Sequence, residues 1–165
     1  MIPMQIDMDK LEYGYDPKYP VLKGIDLRLD KPEFVCIMGP NGVGKSTLIH
    51  CINKILKPTG GSVLLDGRDV SEMKLKEVAD HLGYVPATSE DSFPLTVVDT
   101  VMVGLQNDFK FGTTKDDLAR VYDVLRLMKI EHLAMRNFNE LSAGQHQKVV
   151  LARGLVRTPP AVLLD

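Results

Sequence analysis

Residues Gly39 to Thr47 read GPNGVGKST, and no other stretch of the 165-residue chain restricts its fold as strongly. They fit the spacing G-x-x-x-x-G-K-[S/T], with Gly39 and Gly44 as the fixed glycines, Lys45 as the cation and Ser46 as the hydroxyl. Holding a phosphate takes many donors converging at close range, so such a loop must present backbone N–H groups that side chains would screen. Gly39, Gly42 and Gly44 give that access, and two of them can adopt positive φ without steric cost. Pro40, Asn41 and Val43 fill the other loop positions, and Thr47 follows the hydroxyl. Upstream, Phe34-Val35-Cys36-Ile37-Met38 is a continuous apolar run of strand length, expected to be buried on both faces. Downstream, Leu48, Ile52, Ile55 and Leu56 recur at helical spacing until Lys57-Pro58. Strand, glycine turn and helix in that order aim a helix N-terminus and its partial positive charge at bound phosphates. Lys45 would reach the outer phosphates and Ser46 would ligate Mg²⁺. The bland alternative, a chance glycine-rich turn, has no reason to carry both flanks.

The bulk numbers bound the rest. The length suits one domain with a real core, and the hydrophobic content of 44% and charged content of 25% are ordinary for a globular chain. A formal net charge of -2, with no long run of like charges, argues against a nucleic-acid partner. No segment has the apolar length of a membrane span, and MIPMQIDMDK lacks the basic start and apolar core of a signal peptide, so the chain is expected to stay inside the cell. Cys36 and Cys51 fall on the strand and helix beside the loop, where small thiols usually pack. His50, His81, His132 and His146 form no metal-binding spacing.

Taken in order, residues 4 to 15 alternate loosely and end in Tyr13-Gly14-Tyr15, an expected edge strand running into a turn. Ile25, Leu27 and Leu29 alternate strictly within a second strand over Val21 to Asp30, so two antiparallel strands precede the loop. After it come a strand over Ser62 to Asp66 closed by Asp66-Gly67, a short helix over Leu75 to His81, and a brief strand over Leu82 to Val85. Val97, Val98, Val101, Met102 and Leu105 mark one helix. Leu118, Val121, Leu125 and Met128 mark another, started by Thr114 and the acidic pair Asp116-Asp117. Leu141-Ser142-Ala143-Gly144-Gln145 opens a helix carrying Val149, Ala152 and Val156 that breaks at Pro159-Pro160. Ala161 to Leu164 is an apolar strand ending in Asp165, whose carboxylate at a strand tip can hold Mg²⁺ through its water shell.

The loop, the helical stretch, LSAGQ at Leu141 to Gln145 with its continuation HQKVVLARGL, and the apolar strand with Asp165 together resemble the nucleotide-binding subunit of an ABC transporter. LSAGQ is similar to the family signature LSGGQ, with Ala143 in place of a glycine. The resemblance implies an α/β fold, a P-loop NTPase core with N-terminal antiparallel strands and an all-helical subdomain. It divides the one domain into strands and P-loop core over 1–95, the helical subdomain with the signature over 96–157, and the Walker B strand over 161–165. It implies ATP and Mg²⁺ as ligands, with Ser46 and Asp165 on the metal. One P-loop cradles phosphates from one side only. In the family a second subunit packed head to tail closes the other side, so Ser142 and Gly144 would contact ATP held by the partner copy. Tyr15 sits where the family stacks an aromatic ring on adenine; an ordinary strand tyrosine, or the same role for neighbouring Tyr13, is the alternative. The implied partners are a second copy, integral membrane permease subunits and a substrate-binding protein, at the inner face of the cell membrane.

Two departures stand out. Gly83-Tyr84-Val85-Pro86 leads to Ala87, where the family has a glutamine reaching Mg²⁺ and the attacking water, and Thr88 or Ser89 could partly substitute. Family members also continue past the position of Asp165 with a catalytic glutamate, further strands and a histidine. The chain is therefore expected to be cut short just after the Walker B aspartate, to hold no catalytic base and to lack the C-terminal part of its sheet. Ser92 to Gly104, SFPLTVVDTVMVG, is similar to importers of iron chelates, siderophores and cobalamin, and nearly as similar to zinc and manganese importers. Competing readings are an ABC protein acting on ribosomes or DNA, and a nucleotide-binding module that does not hydrolyse.

Overall fold

The computed structural model describes residues 4–87, 95–108 and 112–165. They form two compact units, one running to Leu82 and taking in Asp165, the other Gly83–Leu164. Thr88, Ser89 and the first part of the Ser92 to Gly104 stretch lie outside the described residues.

The first unit is built on a four-stranded sheet of order β2-β1-β3-β4, comprising β1 (Ile6–Tyr13), β2 (Leu22–Leu29), β3 (Gly60–Leu65) and β4 (Arg68–Asp69). Each neighbouring pair is antiparallel. β2 alternates as its sequence implies, with Ile25, Leu27 and Leu29 half-buried and Asp26 and Arg28 exposed. β1 corrects the expectation of an edge strand: β3 pairs with its other side, a partner too distant in sequence to show in any local pattern. Its loose alternation has a local cause. Ile6, Met8 and Leu11 are buried, and the phase slips at Asp9-Lys10, where Lys10 turns to φ 45° and the pairing register shifts. The N–H freed there is not wasted, because Lys10 donates it to Asp26 Oδ1 at 2.8 Å. Asp66 and Gly67, at φ 49° and 79°, make the tight turn of the β3–β4 hairpin.

Helix α1 (Lys45–Ile52) buries Thr47, Leu48, Ile49, Cys51 and Ile52. It stops four residues before Leu56, the end expected from the apolar spacing. Lys54 enters the left-handed region at φ 57°, its N–H bonds to Cys51 O at 3.2 Å, and the Ile55 N–H bonds to His50 O at 2.9 Å. That pair of bonds is a helix-ending motif in which glycine is usual. Here a lysine adopts it, and its ammonium is held by the carbonyls of Ser71, at 2.9 Å, and Met73. α2 (Leu75–His81) follows as the sequence implies.

The largest departure is at Phe34 to Met38. No strand forms there, no described strand pairs with it, and Phe34 and Met38 are 89% and 87% exposed. An apolar run is buried on both faces only when neighbouring strands cover it, and that depends on partners elsewhere in the chain. The two thiols part company accordingly: Cys36 is exposed, whereas Cys51 is buried and its thiol is pushed up to about 11 by that burial.

The second unit contains a two-stranded sheet of β5 (Leu82–Val85) and β6 (Ala161–Leu164), and helices α3 (Val97–Met102), α4 (Lys115–Leu127) and α5 (Ala143–Leu155). Three short 3-10 turns, Val103–Asp108, Glu131–Leu133 and Phe138–Glu140, link them. Val97, Val101, Leu105, Val121, Leu125, Phe138 and Val149 form the fully buried centre of its core. α4 begins where Thr114 predicts. The Thr114 hydroxyl oxygen accepts from the Asp117 N–H at 3.1 Å, and Asp117 Oδ2 accepts from the Thr114 N–H at 2.9 Å. Its buried face is Val121, Val124 and Leu125, while Leu118, expected on that face, is exposed. His146 is half-buried and stacks on Phe138 with ring centroids 4.1 Å apart. Among the described residues no helix is long and apolar enough to cross a membrane.

Candidate functional site

The glycine loop leads directly into α1, and its backbone takes the form its glycines permit. Gly42 and Gly44 stand at φ 79° and 105°. A Cβ on Gly42 would meet nothing within 4 Å, so the loop stays open there. One on Gly44 would lie 2.7 Å from Val21 Cγ1, so that position excludes a side chain on two counts. Gly39, Pro40, Asn41 and Val43 are exposed, while Thr47 is buried. The Lys45 ammonium reaches back across the loop and donates to the carbonyls of Gly39 and Pro40, both at 2.8 Å.

The N-terminus of α1 differs from those of α3, α4 and α5. Each of those has a side chain accepting from a first-turn N–H: Thr96, Thr114 and Ser142 respectively. α1 has glycine at its cap, no side-chain cap and no acidic residue in its first turn. Its orphan N–H groups and its dipole are thus left to an outside acceptor, which fits an anion and a phosphate above all.

Ser46 and Asp165, 119 residues apart, meet directly, the serine hydroxyl donating to Asp165 Oδ1 at 2.7 Å. A hydroxyl and a carboxylate side by side form a hard-oxygen pair suited to Mg²⁺, whose other positions water and phosphate oxygens usually fill. Among the described residues no cluster of three or more His, Cys, Asp and Glu competes for a metal. His50, one helical turn after Ser46, brings Nε2 to 3.6 Å from Asp165 Oδ2. Sequence inspection missed this neighbour; the helical spacing from Ser46 was its signal.

Tyr15 is 69% exposed, with its hydroxyl 3.4 Å from Thr47 Oγ1. Tyr13 stands edge-to-face with it, ring centroids 5.0 Å apart. Burial first, then Tyr15 and Cys51, push the Tyr13 phenol above its ordinary value.

LSAGQ belongs to the second unit and is described there by itself. Ser142 and Gln145 form a capping box: the Gln145 N–H donates to Ser142 Oγ at 3.4 Å, and Gln145 Oε1 accepts from the Ser142 N–H at 3.0 Å. Ser142, Ala143 and Gly144 are exposed, and Leu141 is half-buried. A Cβ on Gly144 would meet nothing within 4 Å, so packing inside the chain does not call for a glycine. Ala87 is exposed after β5.

A family model described as ABC transporter matches residues 22–165, and the chain belongs to that family. It is 40% identical over 162 residues to an uncharacterized ABC transporter ATP-binding protein of Methanocaldococcus jannaschii, covering 98% of this chain and 63% of that protein. Among solved structures it is similar to cbiO1 of Clostridium perfringens, part of the ABC transporter complex cbiONQ, with a TM-score of 0.82 and 31% identity over 97% of this chain and 64% of that one. A dimeric bacterial ABC transporter cassette matches with a TM-score of 0.81 and 30% identity, covering 97% of this chain and 73% of that one. The fold is the α/β P-loop fold of ATP-binding cassettes. The chain spans about three-fifths of the length of the curated relatives it matches first.

Proposed function

We propose that this chain is the ATP-binding part of the energy-transducing subunit of an ABC importer, in which ATP closes a head-to-tail dimer and hydrolysis reopens it. The observation that carries the reading is the bond between Ser46 and Asp165, which joins the loop hydroxyl to the distant strand-end carboxylate. Gly39 and Asn41 to Gly44 offer backbone N–H groups to the phosphates, Lys45 the cation, Thr47 and Tyr15 the side toward the base. Ser46 and Asp165 would hold Mg²⁺, which when bound would offset the charge of the phosphates.

Leu141 to Gln145 would serve the ATP of the partner copy, with the helix N-terminus of α5 and Gly144 approaching its γ-phosphate. The open space around Gly144 supports this, because among the described residues no packing at that position calls for a glycine. The remaining proposed partners are membrane permease subunits and a substrate-binding protein, at the inner face of the membrane. The cargo we favour, an iron chelate or cobalamin, rests on the similarity of Ser92 to Gly104, and zinc or manganese is the second choice.

Gly144→Asp tests the reading. A carboxylate in the first turn of a helix suits its dipole, so the variant folds with unchanged or slightly raised thermal stability. In the proposed head-to-tail dimer it sets a negative charge against the γ-phosphate of the ATP held by the partner copy. The expected result is normal ATP binding by the monomer with loss of ATP-dependent dimerisation in gel filtration. Dimerisation at the wild-type ATP concentration would sink the head-to-tail reading. Ala87→Gln is a second test: restoring a polar contact at that exposed position is expected to raise the transport-coupled ATPase rate of the complete transporter. No gain would show that the glutamine is dispensable here.

A further inference from the structure

Tyr15 poses a question that its exposure alone does not answer. An aromatic ring that is 69% exposed gains little from packing, and an untethered one would lose its rotamer freedom on binding a ligand. This ring is tethered twice, by the edge-to-face contact with Tyr13 at 5.0 Å and by its hydroxyl at 3.4 Å from Thr47 Oγ1. The segment that carries it is also closed. The Val21 N–H bonds to Tyr13 O at 2.7 Å, the Tyr19 N–H to Asp16 O at 2.9 Å, and the Lys18 N–H to Asp16 Oδ1 at 2.8 Å.

Thr47 is buried in the first turn of α1, so the second tether ties the ring to the phosphate loop. Tyr13 is the last residue of β1, so the first tether ties it to the sheet. We infer that Tyr13 is a positioning residue for base recognition, its ring fixing Tyr15 as a preformed platform at a set spacing from the phosphate loop. Edge-to-face pairs at this separation are favourable beyond their buried area, so Tyr13 can hold the orientation without touching the nucleotide. The inference rests on the proposed stacking of Tyr15 on the base.

Two probes separate the base from the phosphates: Mg·ATP, and Mg²⁺ with inorganic triphosphate, which has no base to stack. Binding of each to this chain is measured by calorimetry, with circular dichroism as the check on folding. Tyr13→Leu keeps apolar bulk and removes the ring, and is expected to weaken ATP about three- to tenfold while leaving inorganic triphosphate unchanged. Tyr13→Phe keeps the ring and is expected to bind both probes as the wild type does. Should the leucine variant fail to fold, Tyr13→Val, at home in a strand, is read in the same way.

Tyr15→Ala is the control for the underlying reading, expected to weaken ATP several-fold and leave triphosphate unchanged. If it weakens neither, base stacking fails and the inference falls with it. If it weakens ATP but Tyr13→Leu does not, only the inference is overturned. Equal loss of both probes in Tyr13→Leu would mark a general structural role. Loss of ATP in Tyr13→Leu without loss in Tyr15→Ala would make Tyr13 itself the platform; both results overturn positioning.

Discussion

Lys45→Ala is expected to lower ATP affinity by roughly ten- to a hundredfold and to abolish the proposed ATP-dependent dimerisation, because two supports vanish together. The first is the charge: a hydrogen bond from an ammonium to a phosphate oxygen is among the stronger kinds, and no other cation occurs from Gly39 to Thr47. The second is mechanical. The ammonium donates to the carbonyls of Gly39 and Pro40 at 2.8 Å each, so it spans the loop and braces the curvature that turns backbone N–H groups inward. Alanine removes charge and brace at once. Arginine keeps the charge, but its planar, wider fork cannot reproduce two converging bonds from one nitrogen, so Lys45→Arg is expected to bind ATP weakly as well. A fluorescent-nucleotide titration measures the first effect and gel filtration with ATP the second. Retained ATP-dependent dimerisation in Lys45→Ala would remove the lysine from the phosphate site and with it the reading of the loop.

What the sequence made legible was whatever a short window encodes. Thr114 with Asp117 fixed the start of α4, Asp66-Gly67 fixed a hairpin turn, and the loop glycines announced the positive φ angles that Gly42 and Gly44 adopt. Val149, Ala152 and Val156 gave the buried side of the last helix and its continuation. The failures share a different origin. Burial of Phe34 to Met38 depends on covering strands from elsewhere, and the interior place of β1 depends on β3, more than forty residues later. The end of α1 was hidden because a lysine at residue 54, not a glycine, takes the left-handed turn, held by carbonyls of Ser71 and Met73. At the site, the loop could be read from its spacing, and Asp165 from its place after an apolar strand. The helical spacing of His50 from Ser46 was visible in the sequence, but its approach to a carboxylate 115 residues away was not.

The bulge in β1 makes the strongest prediction about stability. Gly61 lies in β3 at φ 71°, and a Cβ built there would fall 2.2 Å from the Lys10 carbonyl oxygen and 2.4 Å from that of Asp9. Both are backbone atoms, so no rotamer change relieves the contact; the bulge itself must move. It is held by the bond from the Lys10 N–H to Asp26 and by strands on either side of β1. Gly61→Ala therefore combines left-handed strain, about 1–2 kcal/mol, with overpacking of about 1–3 kcal/mol. The sum is a large fraction of an ordinary domain stability of roughly 5–15 kcal/mol. Gly67 supplies the comparison. At φ 79° it carries the same kind of strain, but a Cβ there would meet nothing within 4 Å. Gly67→Ala should lose only the strain, so in urea unfolding the gap between the two variants isolates the collision with the bulge. A gap below about 0.5 kcal/mol would mean that β1 yields freely at Asp9-Lys10. The close approach of β3 would then be a consequence of the glycine and not its cause.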